Sequence, residues 1–356
     1  MRALPLLEQR RKALETCVFC PKLCRSACPV SNEEPRETLT PWGKMSTASF
    51  AAHGDVPLTP AFARTAWACT GCMACREACD HENPVAGTLF DARSAFVTAE
   101  VAPKESESVR AGWDAHRART KAAAHATSTT AGGRKLLVGC TYLRKLPQES
   151  RDAIEVARAI HGEVSLVDDC CGLPLLLSGD RDRFRHHVGA LAERVGRGGM
   201  TVLDPGCAMA LRKQAPEVGA PAIDVSLLIE EIAATPGRFG KMSAGLEGPV
   251  RYHDPCQLGR GLGVYEAPRQ ALTRALGEAP AEFARARAHG GCSGSGGLLP
   301  TTMPETARGI ARERTREHDE AGGGTIVTAC ASSAIGMRKS GAKVMDLVTL
   351  VRRGLR

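Results

Sequence analysis

Apolar and polar positions follow two different rhythms along this chain. Residues 1–16, MRALPLLEQRRKALET, place apolar side chains at helical spacing and predict a short helix leading into the first cysteine. From Thr40 to Arg64 the large residues Trp42, Phe50 and Phe62 stand among small ones and read as a packed layer. Over 102–133 large apolar residues thin out; the first part reads as a surface helix and HATSTTAGG as a flexible linker. Beyond it, short apolar runs alternate with helical periodicity. RKLLVGC, EVSLVDD and MTVLD predict strands, separated by the helices QESRDAIEVARAIHG and RDRFRHHVGALAERVG and followed by the helix VSLLIEEIA. From Pro249 the order restarts with the strand VRYHD, the helix APRQALTRALG, a long helix over 304–320, the strand TIVTA and a final helix VMDLVTLVRRG. Strands that alternate with helices predict parallel sheets covered by helices.

This second half is an internal repeat, and its cysteines mark the period. Cys140, the pair Cys170–Cys171 before Gly172, and Cys207 form one copy. Cys256, then Cys292–Ser293–Gly294, then Cys330 form the other. The downstream tails GAPAIDVSLLIEEI and GAKVMDLVTLVRRG also correspond. The fold class expected is α+β overall, with a mostly helical N-terminal module over 1–101, a linker over 102–133, and two α/β units over 134–240 and 241–356 related by a pseudo-twofold axis.

Composition sharpens this picture in one respect. Among 356 residues, 43% are hydrophobic but only 4% aromatic, so the cores rest on small aliphatic side chains or on something other than side chains. Fifteen cysteines, an odd number without a signal-peptide pattern, favour thiolate metal sites in a reduced compartment over a disulfide framework. No apolar run approaches the roughly 20 residues that span a bilayer. The expectation is a cytoplasmic chain, or one held peripherally at the inner face of a membrane through a partner. The net charge of +8 is spread along helix faces without interleaved aromatics, so no nucleic-acid partner is expected. GRGLGVYEAP lacks the strand and spacing of a phosphate-cradling turn, which argues against a nucleotide site.

The N-terminal cysteines carry the chemistry. Cys69-x2-Cys72-x2-Cys75-x3-Cys79 has bacterial ferredoxin spacing, with Asp80 where proline is usual. Cys17-x2-Cys20-x3-Cys24-x3-Cys28-Pro29 is one residue longer in its middle gap. Three thiolates from one loop wrap a cubane, and in two-cluster proteins the last cysteine of each run serves the other cluster. That rule assigns Cys17, Cys20, Cys24 and Cys79 to one [4Fe–4S] cluster and Cys28, Cys69, Cys72 and Cys75 to a second. Zinc prefers two-cysteine knuckles set further apart, which these runs of four are not.

With CCGLPLLLSGD at 170–180 and HDPCQLGRGLGVYEAPR at 253–269, the chain resembles proteins that join a two-cluster ferredoxin module to tandem CCG domains. These are the heterodisulfide reductase-related iron–sulfur proteins, which include the iron–sulfur subunits of glycolate oxidase and anaerobic glycerol-3-phosphate dehydrogenase. The resemblance implies five cysteine slots per CCG unit. Here Cys140, Cys170, Cys171 and Cys207 fill four in the first copy and Ala210 occupies the fifth; Cys256, Cys292 and Cys330 fill three in the second, with Ser293 and Ser333 in the others. Alanine cannot ligate iron, and a serine hydroxyl is a poor ligand beside thiolate. Several occupancies stay open: an ordinary cubane in the first copy, a cluster with one open iron in the second, zinc completed by His253 or His289, or a metal-free scaffold. Gly294, Gly296 and Gly297 suit close approach of backbone to a cluster, or a plain tight turn. His253 and Asp254 read either as supporting groups beside Cys256 or as structural residues.

By that resemblance the chain is expected to be an electron-transfer subunit without a flavin of its own. It would take electrons from a FAD-linked oxidase or dehydrogenase of a 2-hydroxy acid or similar donor, and pass them to a quinone, a membrane subunit or another carrier. Two alternatives accompany it: a thiol–disulfide oxidoreductase like heterodisulfide reductase, with Cys292 as its candidate catalytic residue, and a non-enzymatic redox sensor or scaffold.

Overall fold

The computed structural model describes residues 1–242, 246 and 248–356. The chain divides into two compact units, and neither is continuous in sequence. The first comprises Met1–Trp113 with Pro174–Arg183 and Ala288–Arg314; the second comprises Asp114–Leu173, Phe184–Arg287 and Thr315–Arg356.

The first unit is helical. Leu4, Leu7, Leu14, Trp67, Leu89 and Phe96 form its core with a run of alanines from the helices Pro41–His53, Pro60–Trp67 and Val85–Thr98. Small side chains let these helices approach closely, which is how so few aromatics suffice. Thr40 caps Pro41–His53, its Oγ1 accepting from Gly43 N at 3.0 Å, and Pro41 occupies the first helical position. The layer expected around Trp42, Phe50 and Phe62 is not the core: Phe50 is 39% exposed, and the fully buried Trp67 takes that role. Alanines on Pro41–His53 face inward, and the aromatic rings lie outside their packed face.

The second unit holds two four-stranded sheets, parallel throughout, with equivalent strand orders, β2-β1-β3-β4 and β6-β5-β7-β8. The first comprises β1 (Arg134–Leu137), β2 (Val164–Leu166), β3 (Met200–Val202) and β4 (Val225–Leu227). The second comprises β5 (Val250–Tyr252), β6 (Ala281–Glu282), β7 (Thr325–Thr328) and β8 (Val344–Asp346). Leu136 pairs with Leu166 on one side and Thr201 on the other; Arg251 pairs with Ala281 and Ile326. Helix Pro147–His161 meets helix Leu347–Arg352 within this unit, where Thr349 Oγ1 donates to Asp152 Oδ2 at 2.6 Å.

Three expectations change. The helix read in the first part of 102–133 is there as Lys104–Ala111, but a second helix, Trp113–Thr127, takes up most of the rest, including the start of the stretch read as flexible. Alanine-rich sequence with few large apolar residues resembles a linker in composition while keeping good helix propensity. The runs VSLLIEEIA and VMDLVTLVRRG each begin as an edge strand before turning helical, and β6 had no signal at all. Finally, 174–183 and 288–314 fold with the N-terminal residues, although their sequence places them inside the repeat. Among the described residues no helix is long and apolar enough to cross a membrane.

Candidate metal centres

In the first unit, two loops gather eight cysteines into two groups. Cys17 lies in the last turn of helix Arg11–Val18, Cys20 N donates back to Cys17 O at 3.1 Å, and Lys22 turns left-handed (φ 69°) to lead into the turn carrying Cys24. In the second loop Gly71 (φ 69°) and Met73 (φ 61°) curl the backbone between Cys69 and Cys75. A Cβ on Gly71 would come within 2.9 Å of the Phe90 ring, so glycine is required there twice over.

The first group is Cys17, Cys20, Cys24 and Cys79. Burial pushes the Cys17 thiol up to about 12 despite Asn83 Nδ2 donating to its sulfur at 3.0 Å, and Cys24, Cys79 and Cys20 push it the same way. Cys24 is pushed up to about 11 by burial and by Cys79 and Cys20. The second group, Cys28, Cys69, Cys72 and Cys75, lines one cavity together with Lys44 and Thr70. Burial holds Cys75 well above the ordinary thiol range, with Cys72, Cys69 and Cys28 adding to it. Lys44 Nζ donates to Cys28 Sγ at 3.3 Å, and Gly71 N to Cys69 Sγ at 3.4 Å. Four soft sulfur donors, with backbone or cationic donors aimed at sulfur, form a set that fits an iron–sulfur cluster. Left alone, buried thiols stay protonated; a cluster supplies the cationic charge that lets all four ionise.

Sequence reasoning missed where Cys292 goes. It lies in the first unit, packed with Cys28, Ala68 and Leu299, its sulfur 3.8 Å from Thr70 Oγ1. A Cβ on Gly296 would meet Thr70 O at 2.4 Å, and one on Gly297 would meet Cys69 O at 2.1 Å. These glycines do permit close backbone approach, but to the loop of the N-terminal cysteines. Cys256 and Cys330 fold in the second unit. Burial pushes Cys330 up to about 12, and Ser333 hydrogen-bonds to it. His253 packs edge-on against Phe283 at 6.3 Å, and Asp254 is held by Arg269 at 2.8 and 2.9 Å. His289 is exposed in the first unit.

In the second unit, parallel topology explains how distant cysteines meet. Cys140, Cys170–Cys171 and Cys207 all follow the carboxyl ends of neighbouring strands β1, β2 and β3, where ligands gather in open parallel sheets. Gly172 (φ 88°) turns the chain where any Cβ would strike Phe184 and His187 at 2.9 Å. Cys170 Sγ lies 3.6 Å from Cys140 Sγ, and Cys171 hydrogen-bonds to both Cys170 and Cys207. Cys170, followed by His116, pulls Cys140 down to about 5, while Cys170 and Cys207 pull Cys171 well below the thiol range. The four sulfurs thus alternate as donors and acceptors. His116, Cys140 and Cys170 place their ligand atoms within 4.8 Å of one another. Arg144 Nη1 donates to His116 Nδ1 at 3.0 Å, which leaves the proton of a neutral imidazole on Nε2. His116 had no sequence signal, since it lies in the stretch read as linker. Ala210 is fully buried in a helix and offers no donor.

Comparison with known proteins agrees with the two kinds of motif. Residues 13–83 match a 4Fe–4S dicluster domain and 250–335 a cysteine-rich domain of the CCG type. The chain is 27% identical to a subunit of the fumarate reductase (CoM/CoB) of Methanothermobacter marburgensis, over 96% of its own length and 73% of that protein. It is 29% identical to a subunit of the dihydromethanophenazine:CoB–CoM heterodisulfide reductase of Methanosarcina mazei, over 42% of this chain and 38% of the relative. A subunit of the anaerobic glycerol-3-phosphate dehydrogenase of Escherichia coli is 28% identical over 54% of this chain and 51% of the relative. The chain therefore combines a dicluster ferredoxin-type module with CCG sequence. In this combination it is similar to the heterodisulfide reductase-related iron–sulfur proteins.

Proposed function

We propose that this chain is the iron–sulfur electron-transfer subunit of a redox complex. Cys17, Cys20, Cys24 and Cys79 would hold one [4Fe–4S] cluster and Cys28, Cys69, Cys72 and Cys75 the other. The observation that carries this reading is the single cavity shared by Cys28 and the three cysteines of the second run, with Lys44 buried beside them. Clusters move single electrons, so a two-electron donor requires a partner able to split the pair, for which a flavoprotein is the chemical class. The donor we favour is a FAD-linked oxidase or dehydrogenase of a 2-hydroxy acid or of glycerol 3-phosphate, the last by likeness to the glycerol-3-phosphate dehydrogenase relative, and the acceptor we favour is a quinone or membrane subunit. The equivalent strand orders of the two sheets support a tandem repeat with pseudo-twofold symmetry. The test is co-purification: a flavoprotein that travels with the chain should bleach its clusters when given a hydroxy acid, and no bleaching with any flavoprotein substrate would refute the assignment.

A second reading rests on the sulfur contact at 3.6 Å between Cys140 and Cys170. Thiol–disulfide exchange, as the heterodisulfide reductase relative's name implies for that protein, would then occur in the second unit. Disulfide reduction with a one-electron donor, lost on Cys140→Ala, would favour it.

A further inference from the structure

Two cations lie inside the first unit with no carboxylate beside them among the described residues. Lys44 is 2% exposed, and its Nζ donates to Cys28 Sγ at 3.3 Å. Arg93 is fully buried and donates to four carbonyls, those of Ala66, Cys69, Leu177 and Gly297, at 2.9–3.0 Å. Carbonyls satisfy donors but bring no charge. A buried cation without a counter-charge is expensive, so each needs negative charge nearby. For Lys44 the sulfurs of Cys28, Cys69 and Cys75 are the groups that act on its charge, and for Arg93 it is Cys69. The other cysteine group is treated differently. Cys17 Sγ accepts from the neutral amide of Asn83 at 3.0 Å, and no cation is among the main groups acting on Cys17 or Cys24.

We propose that Lys44, backed by Arg93, is a positioning residue that raises the reduction potential of the centre bounded by Cys28, Cys69, Cys72 and Cys75 above that of the centre bounded by Cys17, Cys20, Cys24 and Cys79. An electron shared between the two then rests on the former. This rests on the two-cluster reading given above. Reducing a cluster adds one negative charge to a site shielded from water, and a fixed ammonium within hydrogen-bond reach stabilises that added charge. The step transfers one electron from one centre to the other; no bond is made or broken and no proton moves. The favoured centre is also the one whose loop carries residues 292–297, since the backbone of Gly296 and Gly297 lies on Thr70 and Cys69. Electrons therefore collect on the side of the module that the second CCG cysteine occupies.

The test is an EPR-monitored redox titration of the full chain purified without oxygen, using dithionite as reductant. Wild type, Lys44→Met and Lys44→Arg are compared, with Asn83→Leu as a marker that perturbs only the signal of the other centre. Lys44→Met should lower the reduction equilibrium constant of one centre at least tenfold, about 59 mV for one electron. The centre marked by Asn83→Leu should stay unchanged, and Lys44→Arg should restore most of the loss. Equal potentials in wild type and Lys44→Met, at wild-type iron content, would overturn the proposal. Should Lys44→Met lose iron, Lys44→Gln removes the charge while keeping a donor and is read in the same way. Loss of iron from that one centre in both variants would also overturn it, leaving Lys44 a residue of cluster assembly. If wild type itself lacks two clusters, it is the two-cluster reading that fails.

Discussion

Around Cys28, Cys69, Cys72 and Cys75 the sulfurs line a cavity faced by a buried ammonium; around Cys140, Cys170, Cys171 and Cys207 free thiols hydrogen-bond to one another. In sequence both are sets of four cysteines. In the fold, the first leaves its sulfurs and its cation to be balanced by a group with volume and charge of its own. The second settles its protons internally, with Cys140 and Cys171 as acceptors and with His116 close beside Cys140. Cysteine count alone therefore does not decide what a site does; the groups that balance its charge do.

The sharpest way to break this contrast is by deleting one cysteine from each set. Cys72→Ala should cost about half the iron of the anaerobically purified protein, roughly four of eight atoms, whereas Cys140→Ala should leave the N-terminal iron in place. Iron and acid-labile sulfide assays read both. Arg93→Met comes next. It strips charged donors from four buried carbonyls and should destabilise the chain by about 3 kcal/mol or more, measured by denaturant unfolding under argon.

Smaller effects sharpen the second unit. With its thiol pulled down to about 5, Cys140 should be alkylated by iodoacetamide at pH 6, and His116→Ala should slow this by about three- to tenfold. Protection of Cys140 until a chelator is added would instead mark a bound metal and remove the contrast. The smallest effect concerns Asp346, which accepts from Tyr142 Oη at 2.6 Å and which burial pushes up to about 7. Between pH of about 4 and 7 the folded chain keeps a proton that an unfolded aspartate has released, so stability falls as pH rises through this window. Asp346→Asn should flatten that fall, read as a smaller difference between unfolding midpoints at pH 5 and pH 7.

Much of this was legible from the chain itself. The helices Pro147–His161, Arg181–Val195 and Pro304–Glu320 follow their apolar periodicity closely, and five strands fall inside the runs read as strands. β4 and β8 escaped because three strand residues run straight into a helix with no polar break, so one apolar period masks the other. What was not visible was that Cys292 and the glycines after it fold onto the loop of Cys69, because covalent neighbours at 256–287 belong to the other compact unit. His116 and Lys44 were equally silent. Neither carries a spacing signature, and each acquires its role only through the sulfur that tertiary structure sets beside it.

The most direct test of the account is the iron and acid-labile sulfide content of the full chain purified without oxygen, alongside its EPR spectrum when reduced. About eight iron and eight sulfide per chain, with signals from two clusters, is the predicted result. A colourless, iron-poor preparation, or one holding about four iron in a single cluster, would contradict it.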